Sequence, residues 1–164
     1  MRTIIGVMGG GEADPATTAA AGQLGALIAA QGWVLLTGGR ACGVMDASSR
    51  GAHEAGGTVV GVLPDDDTRR TSGHVDIPIL TGMGDARNVI NVLSSRVVVA
   101  MRGSAGTISE VAHALKAGRP VVALDFPLGE RFIEYYTSGR LVDVSNPIEA
   151  IEAVRTFLGE RDTP

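Results

Sequence analysis

The chain has 164 residues, 45% of them apolar and 20% charged, with a formal net charge of −4 and one cysteine, Cys42. That length and apolar content suit a single domain with its own core and exclude extended disorder. The acidic balance argues against a general nucleic-acid binder, which shows a basic face, and one cysteine excludes an internal disulfide or a cysteine-built zinc site.

No apolar run reaches the roughly 18 residues of a membrane span, and no leader precedes the first strand, so a cytoplasmic protein without a membrane partner is expected. In chain order, Thr3–Met8 is predicted to be a strand that ends at Gly9-Gly10-Gly11. Asp14-Pro15 reads as an N-cap followed by proline at the first helical position, which predicts a helix over Pro15–Ala30. Trp33–Thr37 is a second strand, with Trp33 in the core, and it ends at Gly38-Gly39. A helix over Gly43–Ala55 is stopped by Gly56-Gly57 and leads into a strand at Thr58–Leu63. Asp65–Val75 is expected to be a mobile surface loop, with Asp65-Asp66-Asp67 solvated rather than metal-binding.

Gly84-Asp85 then begins a helix over Ala86–Ser94, with Arg87 in its first turn. The strand Arg96–Met101 is followed by the turn Arg102–Gly106 and a helix over Thr107–Ala117. The remaining elements are a strand at Pro120–Leu124, an amphipathic segment holding Tyr135 and Tyr136, a short strand at Leu141–Val144 and a helix over Pro147–Leu158. Near-continuous apolar strands alternating with helices predict a doubly wound, Rossmann-like α/β fold: a parallel sheet covered on both faces, with ligands at the carboxyl ends of the strands. Residues 1–159 form the expected domain and residues 160–164 a flexible tail.

Three glycine-rich turns therefore fall on one rim: Gly9 to Gly11, Gly38-Gly39 and Gly103 to Gly106. None matches GxGxxG with an acidic ribose anchor, nor a phosphate loop with its lysine, so an ordinary NAD or ATP site is disfavoured. The turn Arg102-Gly103-Ser104-Ala105-Gly106-Thr107, opening into a helix, aims backbone N–H groups at one point and predicts an anion cradle. Glu110 stands on the helix face of Thr107, and Asn88 and Asn91 share a face at i, i+3. Arg40, Arg87 and Arg102 all stand near predicted helix N-termini, where a cation is unfavourable unless an anion lies between them. Cys42 is expected to be a small packed residue rather than a nucleophile, and His53, His74 and His113 show no metal spacing.

The segment Arg102 to Glu110 resembles the pattern PGGxGTxxE, Gly38 to Pro64 resembles GGxxGxM…GAxxxGGxxxGxxP, and Arg87-Asn88 resembles a third, an arginine followed by Lys or Asn. Together they identify a resemblance to the superfamily of the lonely-guy (LOG) proteins, closest to a short bacterial branch similar to molybdenum-cofactor carriers. The resemblance implies a Rossmann-like fold and no metal. It also implies a small phosphorylated ligand, either a nucleoside monophosphate or a pterin phosphate. Binding by Gly9, Gly10, Gly38, Gly39, Asn88, Arg102, Gly103, Ser104, Gly106 and Thr107 is expected, with Arg87 and Glu110 as catalytic candidates. The implied activity is hydrolysis of the N-glycosidic bond of nucleoside 5′-monophosphates, without a cofactor. The alternative is non-catalytic carriage of molybdenum cofactor or molybdate, and a homodimer or homotetramer is implied in either case. Arg102 replaces the family's proline and Ser104 its glycine; Ser104 either obstructs close backbone approach or offers a hydroxyl. A DNA-processing role like that of distant relatives is disfavoured by the acidic balance.

Overall fold

The computed structural model describes residues 1–159. The expected tail at 160–164 lies outside the described residues. Seven parallel strands form one sheet in the order β4-β3-β2-β1-β5-β6-β7: β1 Ile4–Met8, β2 Val34–Thr37, β3 Thr58–Leu63, β4 Ile77–Leu80, β5 Val97–Met101, β6 Val121–Leu124 and β7 Leu141–Val144. Every residue of β2, β5 and β6 is buried, as a strand covered on both faces requires. Helices α1 (Pro15–Ala30), α2 (Gly43–Glu54) and α6 (Pro147–Leu158) pack on one face through Leu24, Ile28, Val44, Ile151 and Val154, above a core that includes Trp33. Helices α3 (Asn88–Ser94), α4 (Ala105–Lys116) and α5 (Ile133–Thr137) cover the other through Val92, Val111, Leu115 and the half-buried Tyr135 and Tyr136.

Helices α1 and α2 approach until their backbones touch. A methyl group on Gly25 would overlap the Ser48 carbonyl, and one on Gly51 would overlap that of Gly22. This contact holds the body of α2 close against α1.

Strand β4 corrects the sequence reading, which placed no strand there. Pro78 removes one ladder donor, so the segment can pair only at an edge; it bonds to β3 alone and all four of its residues are exposed. The surface loop Asp65–Val75 also makes specific contacts with the rim of the sheet. An isolated bridge joins Arg40 to Thr71, Ser72 N–H donates to the Gly39 carbonyl at 2.9 Å, and Ser72 Oγ donates to Asp46 at 2.7 Å. Two of the three aspartates of the acidic triplet are engaged by arginines: Arg40 and Arg70 reach Asp65, and Arg69 reaches Asp67.

Chain direction across the sheet reverses between β1 and β5, where β1 feeds α1 on one face and β5 feeds α4 on the other. Such a reversal opens a crevice at the carboxyl ends of the two strands. Gly10 N–H donates to the Arg102 carbonyl at 2.9 Å and ties the two turns across that crevice.

Candidate anion-binding site

Helices α1, α2 and α4 begin at this rim beside the three glycine-rich turns, and they differ in how their first turns are closed. The start of α1 is capped internally: Asp14 Oδ1 accepts from Thr17 N–H at 2.7 Å and Oδ2 from Thr17 Oγ1 at 3.1 Å. The Thr17 amide holds the Asp14 carboxyl below its ordinary value. A carboxylate thus occupies the place where a dinucleotide-binding fold seats its pyrophosphate. The caps of α2 and α4, Cys42 and Ser104, make no side-chain capping bond; the Val44 N–H of α2 instead donates to the Gly10 carbonyl at 3.0 Å, while the first turn of α4 presents open N–H groups. Both helix starts border one cavity of about 270 Å³, also lined by Arg87, Asn88, Thr107 and Glu110.

Two arginines line that cavity, Arg40 and Arg87, and Arg87 is the buried one. It lies at the end of a short 3-10 turn, Gly84–Arg87, and caps α3 rather than sitting in the first turn of an α-helix as expected. Its side chain is 9% exposed, and Nε and Nη1 are buried with no hydrogen-bond partner. The other two arginines singled out in the sequence are already neutralised, Arg40 by Asp65 at 3.1 Å and Arg102 by Asp125 at 3.0 Å. Burial pushes the Arg87 guanidinium below its ordinary value, against the opposing pull of Glu110. Glu110, 7% exposed, is pushed up by burial, while a 2.9 Å hydrogen bond from Asn91 Nδ2 to its Oε1 and the charge of Arg87 act the other way. Among the described residues no ion pair joins Arg87 to Glu110.

The model of the SLOG cluster4 family matches residues 2–151. The chain belongs to the SLOG cluster4 family. An uncharacterized protein of Archaeoglobus fulgidus is 48% identical over 124 residues, 76% of this chain and 81% of the relative. Among solved structures, the molybdenum cofactor binding protein of the phototrophic bacterium Rippkaea orientalis is 48% identical, with a TM-score of 0.90 over 96% of this chain and 98% of that one. A Moco carrier protein from Chlamydomonas reinhardtii is also 48% identical, with a TM-score of 0.89 over 98% of this chain and 100% of that one. The expected likeness to LOG-type proteins near the molybdenum-cofactor carriers is therefore shown.

In this SLOG cluster4 protein the cavity brings together Gly9, Gly10, Gly38, Arg87, Asn88, Ser104, Gly106, Thr107 and Glu110. Gly39, Arg102 and Gly103 do not line it. Gly39 has φ +76° and packs against Gly61 Cα, while Arg102 and Gly103 face a neighbouring cavity with Asp14 and Thr17. Ser104 has φ −97° and is exposed, so the fold accepts a side chain there, and its hydroxyl sits on the wall that the two cavities share.

The glycines of this SLOG cluster4 site divide by cause. A methyl group on Gly38 would lie 2.9 Å from Arg87 Nη2 and 2.6 Å from Met45 Sδ, and one on Gly103 would strike the Thr107 side chain. Gly106 is different: nothing lies within 4 Å of the space a methyl group would fill. It stands in the first turn of α4, where glycine is a weaker helix former than alanine by about 1 kcal/mol. Cys42, Met45 and Asp85 also line the cavity without having been selected as site residues. The sequence signal for Cys42 was its place one residue before Gly43, which has φ +52° and packs against the Gly10 carbonyl.

Proposed function

We propose that the cleft binds the phosphate of a small organic ligand and that the protein carries a pterin-phosphate molybdenum cofactor without turning it over. The observation that carries this reading is the buried, unpartnered face of Arg87. An uncompensated buried cation costs several kcal/mol, and an oxyanion seated against the guanidinium supplies the missing charge. The open first turn of α4 adds N–H donors from the Gly106 and Thr107 side, and the unfilled space at Gly106 leaves room for an oxygen to approach. These features fit a phosphate arm, with Ser104 and Asn88 placed to hydrogen-bond what it carries. The names of the Rippkaea and Chlamydomonas proteins support the choice of cofactor. The reading includes no metal resident in the protein and no nucleic-acid partner.

Thermal denaturation with inorganic phosphate, molybdate and anaerobically released molybdenum cofactor tests the reading. A ligand at 100 times its Kd adds about 2.7 kcal/mol, equivalent to roughly 2–4 °C per kcal/mol at this size. Arg87→Met is expected to abolish the phosphate shift and, by removing a buried cation, to raise the melting temperature of the unliganded protein. A wild-type protein that responds to none of the three ligands overturns the proposal.

A second reading rests on Glu110, a buried carboxyl on the cavity wall. Beside a bound nucleoside monophosphate it could stabilise positive charge developing on the ribose or orient a water, as carboxylates do in glycoside hydrolysis, without a cofactor. Release of free base from a nucleotide panel supports this reading, and stoichiometric binding without base release excludes it.

A further inference from the structure

The cavity is lined by the oxyanion candidates Arg87, Ser104, Gly106 and Thr107 and also by three sulfur-bearing residues, Met8, Cys42 and Met45. Met45 Sδ and the Arg87 guanidinium both pack against Gly38. Of the three sulfurs, only that of Cys42 can become an anionic ligand. Cys42 is half-buried, N-caps the 12-residue α2 without making a side-chain capping bond, and borders both the phosphate cavity and its neighbour. A placed methyl on Gly11 would be 3.4 Å from its Sγ, so Gly11 sits close beside the thiol without covering it.

Building on the carrier reading above, we infer that Cys42 Sγ is a protein ligand to the metal of the carried cofactor. A pterin-phosphate cofactor bears its phosphate arm on the ring that also carries the metal-binding dithiolene. Seating the phosphate against Arg87 and α4 therefore brings the metal end into the same small cavity, where a thiolate can join the two dithiolene sulfurs as a further sulfur ligand. The exchange balances without redox chemistry. The Cys42 S–H bond and one molybdenum–hydroxide bond break, a sulfur–molybdenum bond forms, and the proton leaves with the hydroxide as water. This arrangement divides the work: the phosphate cradle supplies affinity, and Cys42 shields the exposed metal from other thiols.

X-ray absorption at the molybdenum edge, on wild-type protein and Cys42→Ser loaded anaerobically to equal stoichiometry, tests the inference. Cys42→Ser keeps the size of the cap, and its thermal shift with inorganic phosphate confirms an intact cradle. The expected result is one sulfur fewer at molybdenum in Cys42→Ser than in wild type, with loading retained. Equal sulfur counts in the two loaded proteins overturn the assignment while leaving the carrier reading standing. Failure of both proteins to load, with the phosphate shift present in both, overturns the carrier reading and this inference with it.

Discussion

Arg87 and Glu110 are buried groups of opposite sign in one cavity, each moved from its ordinary titration range mainly by loss of water. The ordinary value for Glu110 is 4.5, and its value in the folded protein lies higher. The native state thus holds this proton more tightly than the unfolded chain. Its stabilising contribution is complete below pH 4.5 and is lost as pH rises through the folded value. Glu110→Gln keeps the size of the side chain and an acceptor for Asn91 Nδ2 while removing the titration. Melting curves from pH 4.5 to neutrality are expected to fall less steeply for the variant; parallel curves would show that Glu110 does not titrate in that range. The Asn91–Glu110 bond spans 19 residues, and spacing along the chain held no sign of it.

At the scale of elements, whether each helix is capped decides where an anion can bind. Asp14 closes α1, so the glycine-rich turn after β1 provides a wall rather than a phosphate loop, which accounts physically for the missing dinucleotide fingerprint. Helix α4 stays open because its cap Ser104 makes no side-chain bond, and Gly106 leaves free space in its first turn. Gly106→Ala is accordingly expected to stabilise the unliganded protein by up to about 1 kcal/mol and to weaken phosphate binding at least tenfold. Chemical denaturation and calorimetric titration measure the two effects. A variant that binds phosphate like the wild type would show that the open space at Gly106 is not where the anion sits. Edge strand β4 went unread because Pro78 reads as a break until a neighbouring strand is available to pair with it.

For the whole molecule, helices α3 and α4 both carry exposed apolar side chains. Val89, Leu93 and Ile108 are 36%, 49% and 44% exposed, and Val89 and Leu93 stand one helical turn apart. We propose that these side chains pack against a second copy of the chain, in keeping with the oligomer implied by the family resemblance. Leu93→Asp is expected to shift the protein to a monomer in size-exclusion chromatography with light scattering, with its melting temperature lowered. A wild-type monomer at micromolar concentration would remove the proposal. Among the described residues no helix is long and apolar enough to cross a membrane.

Local chemistry was enough for the elements that carry their own signals. The buried strands announce themselves by continuous apolar runs, α1 by Asp14-Pro15 at its start, and the cradle by its glycines and hydroxyl. The doubly wound order and the rim that collects the three turns follow from that alternation, because burying both sheet faces leaves few other topologies. The state of each charge was decided only in three dimensions. Arg40, Arg87 and Arg102 occupy similar places near helix starts in the sequence, yet Asp65 and Asp125 arrive from distant turns to neutralise two of them and leave Arg87 bare. Desolvation and pairing depend on what surrounds a group from every side, and neighbours along the chain supply only part of that surrounding.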